Sequence, residues 1–155
     1  MGAPKILTIE QAKSLLSEVV QHTFESLLFV EAVPVAASEA AKIDGADGLE
    51  VSIDIKSDYS GRIRMSLSRE SARRLASLGV GLGGETSDEG LADLHAEILN
   101  TIGGRVAAQQ PHAFDLSIPT ASFGKLSTAA PAPIKSCFQI EYGIVCFDFH
   151  LETGL

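Results

Sequence analysis

The chain contains a single asparagine, Asn100, and it falls inside a segment patterned as a helix. That is an unfavourable place for it, because the Asn amide competes for neighbouring backbone groups and prefers caps and turns. The segment reads Leu91-Ala92-Asp93-Leu94-His95-Ala96-Glu97-Ile98-Leu99-Asn100-Thr101-Ile102-Gly103-Gly104. At about 100° per residue, Asp93, Glu97, Asn100 and Gly104 lie within a stripe roughly 60° wide. Leu91, Leu94, Ile98 and Ile102 fall on the apolar side, and the stripe is flanked by the small residues Ala96, Gly103, Ala107 and Ala108. A carboxylate and an amide three residues apart, clear of tall neighbours, suit a helix that meets a macromolecule at close range. Glu and Asn on a surface can do one reaction well: they can orient a water against a bond that the partner has already activated.

Polar pairs on solvated faces are nevertheless ordinary, and most do nothing. The double glycine adds to the case. Gly103 and Gly104 would each cost about 1 kcal/mol inside a helix relative to Ala. One reading ends the helix at Ile102 with a glycine cap. Against it, residues 105–110 continue as good helix formers, and Pro111 is the natural stop.

The elements that must position this stripe follow from periodicity. Thr8 with Gln11 forms a capping box, and Ile9, Ala12, Leu15, Leu16, Val19, Val20, Phe24, Leu27 and Leu28 predict a long amphipathic helix to about residue 29. Residues 34–48 read as loop, with a strand possible near the start. Leu49, Val51, Ile53 and Ile55 alternate with polar residues as a one-sided strand. A turn over residues 57–61 leads to a second strand carrying Ile63, Met65 and Leu67. Ser68 caps a short helix over residues 69–78. Thr86 with Glu89 forms a second capping box that opens the helix bearing Asn100. Phe114, Leu116 and Ile118 predict a third strand ending at Pro119, and residues 121–133 read as loop. Residues 134–140 and 144–151 make a final hairpin, with Cys137 and Cys146 expected as free thiols on its polar faces. The sum is an α+β fold over a single domain, residues 1–155. Its antiparallel sheet has about five or more strands, with long amphipathic helices packed on one face.

Composition narrows the class. At 155 residues, one domain with a proper core is the expectation. A net charge of −8 argues against nucleic acid, which needs a basic footprint. Arg69, Arg73 and Arg74 read as a solvated helix face. No apolar run approaches the roughly 18 residues of a membrane span, and no signal-peptide core follows the N-terminus, so a cytoplasmic location is expected. His22, His95, His112 and His150 show no metal spacing. His95 falls on the apolar side of its helix, as a core histidine would. Residues 79–84 match G-x-G-x-x-G, but a helix precedes them where the dinucleotide fingerprint needs a strand. Ser122 and Lys125 form S-x-x-K without its partner motifs. An enzyme of this sequence would therefore lack its own nucleophile, metal and cofactor.

Asp93-x-x-x-Glu97-x-x-Asn100-x-x-x-Gly104 resembles the signature of the CheC/CheX family of chemotaxis phosphatases. The long first helix, the hairpin strand beginning at Gly61, the signature helix and the Leu116-Ser117-Ile118-Pro119-Thr120 segment fall in that family's order. One signature in a short chain is more similar to CheX than to the two-site CheC proteins. The resemblance implies hydrolysis of the aspartyl phosphate on a CheY-type receiver domain. Glu97 would pair with the receiver's lysine, and Asn100 would place the attacking water. Asp93 and Gly104 would be accessory, and the receiver would supply Mg²⁺. It also implies a homodimer through the sheet edge. Gly103 and Arg105 depart from the family pattern, and Arg105 stands where a small polar residue is expected. The competing readings are a receiver-binding module without hydrolysis and an adaptor resembling flagellar-switch proteins.

Overall fold

Thr8 opens the first helix as a full capping box: its hydroxyl accepts from the Gln11 N–H at 3.1 Å, and Gln11 Oε1 accepts from the Thr8 N–H at 2.9 Å. Helix α1 (Ile9–Thr23) buries Ala12, Leu16, Val19 and Val20. It widens into a π-helical turn over Phe24–Leu28, which ends at Phe29 in the left-handed region, φ 56°. The computed structural model describes residues 8–56, 59–78, 87–109, 115–129 and 132–153. The expectations for residues 79–84, Thr86, Pro111 and Phe114 fall outside that set.

The remaining elements are β1 (Val33–Val35), a 3-10 helix (Ala37–Lys42), β2 (Asp47–Lys56), β3 (Tyr59–Ser68), α2 (Arg69–Leu78) and α3 (Asp88–Ala108). They are followed by β4 (Asp115–Leu116), β5 (Thr120–Lys125), β6 (Ile134–Ile140) and β7 (Gly143–Thr153). Seven strands form one antiparallel sheet in the order β1-β6-β7-β3-β2, with β4 and β5 both paired along the free side of β2. The α+β architecture is as expected, with three differences. Tyr59, Ser60 and Gly61 belong to β3 rather than to a turn, pairing with Thr153, Glu152 and Leu151. Of the strand expected over residues 114–118, the described part is Asp115–Leu116, and residues 117–118 are not in it. Residues 121–125, read as part of a loop, belong to the strand Thr120–Lys125.

One sheet face is apolar by strict alternation. Leu49, Val51, Ile53 and Ile55 of β2 line up with Ile63, Met65 and Leu67 of β3, and with Val145, Phe147 and Phe149 of β7. Helices α1 and α3 pack there, through Leu16, Val20, Ile98, Leu99 and Ile102. α2 joins them through Ala72 and Leu75, its first turn capped by Ser68 Oγ accepting from the Ser71 N–H at 3.1 Å.

The other face is polar over its centre and apolar at one corner. Arg64 pairs with Asp148 and lies 3.6 Å from Glu50; Lys135 lies 3.5 Å from Asp148; Arg62 bonds Asp54 at 2.7 Å. At the corner Cys137, Ile144 and Cys146 pack with Ala40, Ile43 and Leu126. This corrects one expectation. Cys137 and Cys146 are free thiols on the face opposite the helices, but they are buried there, 3.1 Å apart. The Ala-rich 3-10 segment and Leu126 cover that corner. Among the described residues no helix is long and apolar enough to cross a membrane.

Candidate functional site

Ser87 caps α3, its Oγ accepting from the Gly90 N–H at 3.1 Å. Asp88 and Glu89 sit in the first turn, where the helix dipole favours negative charge. The helix then runs unbroken to Ala108, through both glycines. No cap forms at Ile102.

The two glycines serve different contacts. Gly103 is buried, and a Cβ there would meet Leu116 Cδ1 at 3.3 Å and Ile53 Cδ1 at 3.5 Å. Its missing side chain lets α3 lie close against β2 and β4. Gly104 faces outward, with nothing within 4 Å of a Cβ position. The fold gains nothing visible from that glycine, although a helix interior penalises it by about 1 kcal/mol.

α3 is fixed in rotation by its other faces. Ile98 and Ile102 are fully buried. His95 is buried as well, and its Nε2–H donates to the Ala72 carbonyl at 3.1 Å, tying α3 to α2. Nδ1 is then a buried acceptor without a partner. Burial holds the imidazole neutral, with its pKa lowered to about 4, the Ala72 bond only partly opposing the shift. Arg105 donates to Thr23 Oγ1 at 3.0 Å and Ser26 Oγ at 3.2 Å, so this departure from the family pattern is spent on α1 rather than on the stripe.

With α3 so fixed, Asp93, Glu97 and Asn100 are all exposed on one side, as the wheel predicts. Among the described residues, none of the three side chains makes a hydrogen bond or ion pair. Beside them Thr101 Oγ1 donates to the Glu97 backbone carbonyl at 3.0 Å. Asp93, Ala96, Glu97 and Asn100 form one wall of an open groove of about 580 Å³. Leu116, Ser117, Ile118 and Pro119 form the other.

That second wall was not read as part of a site from the sequence, and its geometry departs from the predicted strand. Ile55 pairs with Leu116, and Ser52 pairs with Thr120. Three steps along β2 thus face four along its neighbour, which is the register of a β-bulge. Ser117 anchors it: its N–H donates to the Asp54 carbonyl at 2.9 Å, and its Oγ accepts from the Asp54 N–H at 2.9 Å. The available signal was Pro119, which interrupts a strand pattern where ladder bonds are needed.

The arrangement offers a carboxylate and an amide, both free to engage another molecule, with a second carboxylate, Asp93, one turn away. It can position water and attract a cation. Comparison with known proteins agrees in direction. A family model described as chemotaxis phosphatase CheX matches residues 50–142, more than half of the chain and the whole of the signature helix. A chemotaxis protein CheX from Vibrio vulnificus is 16% identical, with a TM-score of 0.76 over 95% of this chain and 100% of that one. One from Desulfovibrio desulfuricans is also 16% identical, with a TM-score of 0.74 over 91% and 99%. The CheX–CheY–BeF3–Mg²⁺ complex from Borrelia burgdorferi matches at 15% identity and a TM-score of 0.68, over 90% and 96%. No curated protein matches the sequence.

Proposed function

Because the chain belongs to the chemotaxis phosphatase CheX family, we propose that it removes the phosphoryl group from the aspartate of a CheY-type receiver domain. The observation that carries this reading is the outward Glu97–Asn100 pair, which has no side-chain partner among the described residues and which lines an open groove. The α3 stripe docks over the receiver's phosphorylation pocket. Asn100 enters it, and its amide oxygen accepts a hydrogen bond from a water held in line with the acyl phosphate. The water oxygen bonds to phosphorus, the bond from phosphorus to the aspartyl oxygen breaks, and the carboxylate leaves unphosphorylated. The proton given up by the water departs with inorganic phosphate. Glu97 pairs with the receiver's lysine, a charge-assisted contact that sets orientation. Asp93 adds negative potential beside it, and Gly104 leaves room for the receiver to approach.

The Mg²⁺ that neutralises the phosphoryl oxygens belongs to the receiver in this reading. No covalent intermediate on this chain is needed, so catalysis is positioning alone. The reading includes a cytoplasmic location and a homodimer paired through a sheet edge.

The test is turnover. A small molar fraction of the chain is mixed with a fully phosphorylated CheY-type receiver, and the remaining phosphoprotein is followed in time. Faster loss of many equivalents per chain supports the phosphatase. Stable binding with unchanged decay selects the receiver-binding module instead.

A further inference from the structure

We propose that Ile118 is the docking residue of this site, an apolar side chain turned outward by the bulge so that it seats on the receiver beside the phosphorylated aspartate. This rests on the receiver reading above and adds the residue that carries affinity rather than turnover.

Regular alternation would put Leu116 and Ile118 on the same, inward side of the sheet. The extra residue between the Leu116 and Thr120 pairings reverses the parity. Leu116 packs inward beside Gly103, and the inward positions resume at Ala121 and Phe123. Ile118 is left over, 86% exposed, in the segment between the Leu116 and Thr120 pairings. Bulges that re-aim one side chain are common beside functional sites.

The exposure is built in rather than incidental. Ser117 holds the bulge to Asp54 through two bonds of 2.9 Å, and Pro119 fixes its own φ. An Ile held this way contributes nothing to folding, since its surface stays in water. It contributes fully on association, because its backbone is already ordered and few rotamers are lost.

The occupant follows from continuity. Ile118 lines the same groove as Glu97 and Asn100. A receiver close enough for Asn100 to reach an acyl phosphate covers Ile118 as well. Among the described residues the other large apolar side chain of comparable exposure, Phe29, is at the end of the π-helical turn and does not line the groove.

The experiment separates affinity from rate. The full chain and its Ile118→Ala, Ile118→Val and Asn100→Ala variants are titrated with CheY-type receivers of the source genome, loaded with Mg²⁺ and beryllofluoride as a stable phosphoryl mimic. kcat and KM are then measured with the phosphorylated receiver. Ile118→Ala is expected to raise Kd and KM about tenfold, as loss of a buried apolar anchor does, with kcat within about twofold. Ile118→Val should stay near wild type. Asn100→Ala should show the opposite split. An Ile118→Ala Kd equal to wild type overturns the proposal, and so does a lower kcat at unchanged KM. If wild type binds without hydrolysis and Ile118→Ala loses the binding, docking stands and the phosphatase reading fails. If no receiver binds wild type, both are overturned.

Discussion

Two polar surfaces of this molecule are built from the same kind of residue and do opposite things with it. On the sheet face away from the main helices, Glu50, Asp54, Arg62, Arg64, Lys135 and Asp148 are matched to one another across β2, β3, β6 and β7. On α3, the side chains of Asp93, Glu97 and Asn100 have no partner among the described residues. Both are the wet sides of amphipathic elements, and polarity alone does not separate them. The difference is satisfaction. At the centre of the sheet face Arg64, Lys135 and Asp148 are largely buried and would be costly unpaired, so the fold pairs them. The stripe is exposed, so leaving it unpaired costs the fold little and keeps its groups free for another molecule.

Reversing a charge tests that contrast most severely. Glu97→Lys should weaken receiver binding at least 100-fold, because like charges at an interface cost several kcal/mol. Its effect on folding should stay within about 0.5 kcal/mol, as for most surface changes. Titration with the receiver and a denaturant melt of the same sample check both halves.

His95 shows what an unpartnered polar atom means when it is buried. Its pKa is about 4 in the fold against the ordinary 6.5 in the unfolded chain. Between those values the unfolded state binds the extra proton and the folded state does not. Stability is therefore complete above pH 6.5 and falls as pH drops toward 4, by about 3 kcal/mol at most from this group. Unfolding free energies across that window should show the slope, and His95→Gln should flatten it.

The sheet face gives the next effect. Arg64→Met leaves Asp148 with only Lys135 at 3.5 Å and should destabilise the fold by about 2 kcal/mol. Receiver dephosphorylation at a temperature where the variant is folded should be unchanged. A loss of activity there would mean that the two surfaces are not independent.

The smallest effect comes from Gly104. With open space around its Cβ position, Gly104→Ala should stabilise α3 by up to about 1 kcal/mol. Thermal melts would register the gain. Because the glycine leaves room for the partner's approach, the stabilised variant should bind the receiver less tightly than wild type, which titration checks.

These contrasts were unevenly visible in the sequence. The stripe was legible because α3 is long and periodic, and the burial of Ile98 and Ile102 follows from the same wheel. Alternation also carried β2, β3, β6 and β7. β5 was not legible: Thr120-Ala121-Ser122-Phe123-Gly124-Lys125 has one large inward residue, and its strand character comes from pairing with β2. The bulge at Ser117–Ile118–Pro119 is a property of register between two distant segments, which no single-strand pattern contains. Cys137 and Cys146 were assigned to the correct face, but a segment a hundred residues earlier buries them. The site was thus half visible: its helical wall was written in periodicity, and its second wall in tertiary pairing.

The most direct test of the account is the decay of a phosphorylated receiver with wild type and Asn100→Ala side by side, beside the affinity of each for the beryllofluoride-loaded receiver. Removing the amide takes a poor helix former from a solvated face, so the fold should persist. The account predicts that accelerated dephosphorylation falls on the order of 100-fold, the scale of lost positioning, while affinity changes little. Full activity in Asn100→Ala would contradict it, since no water would then depend on the one asparagine the chain holds out to its partner.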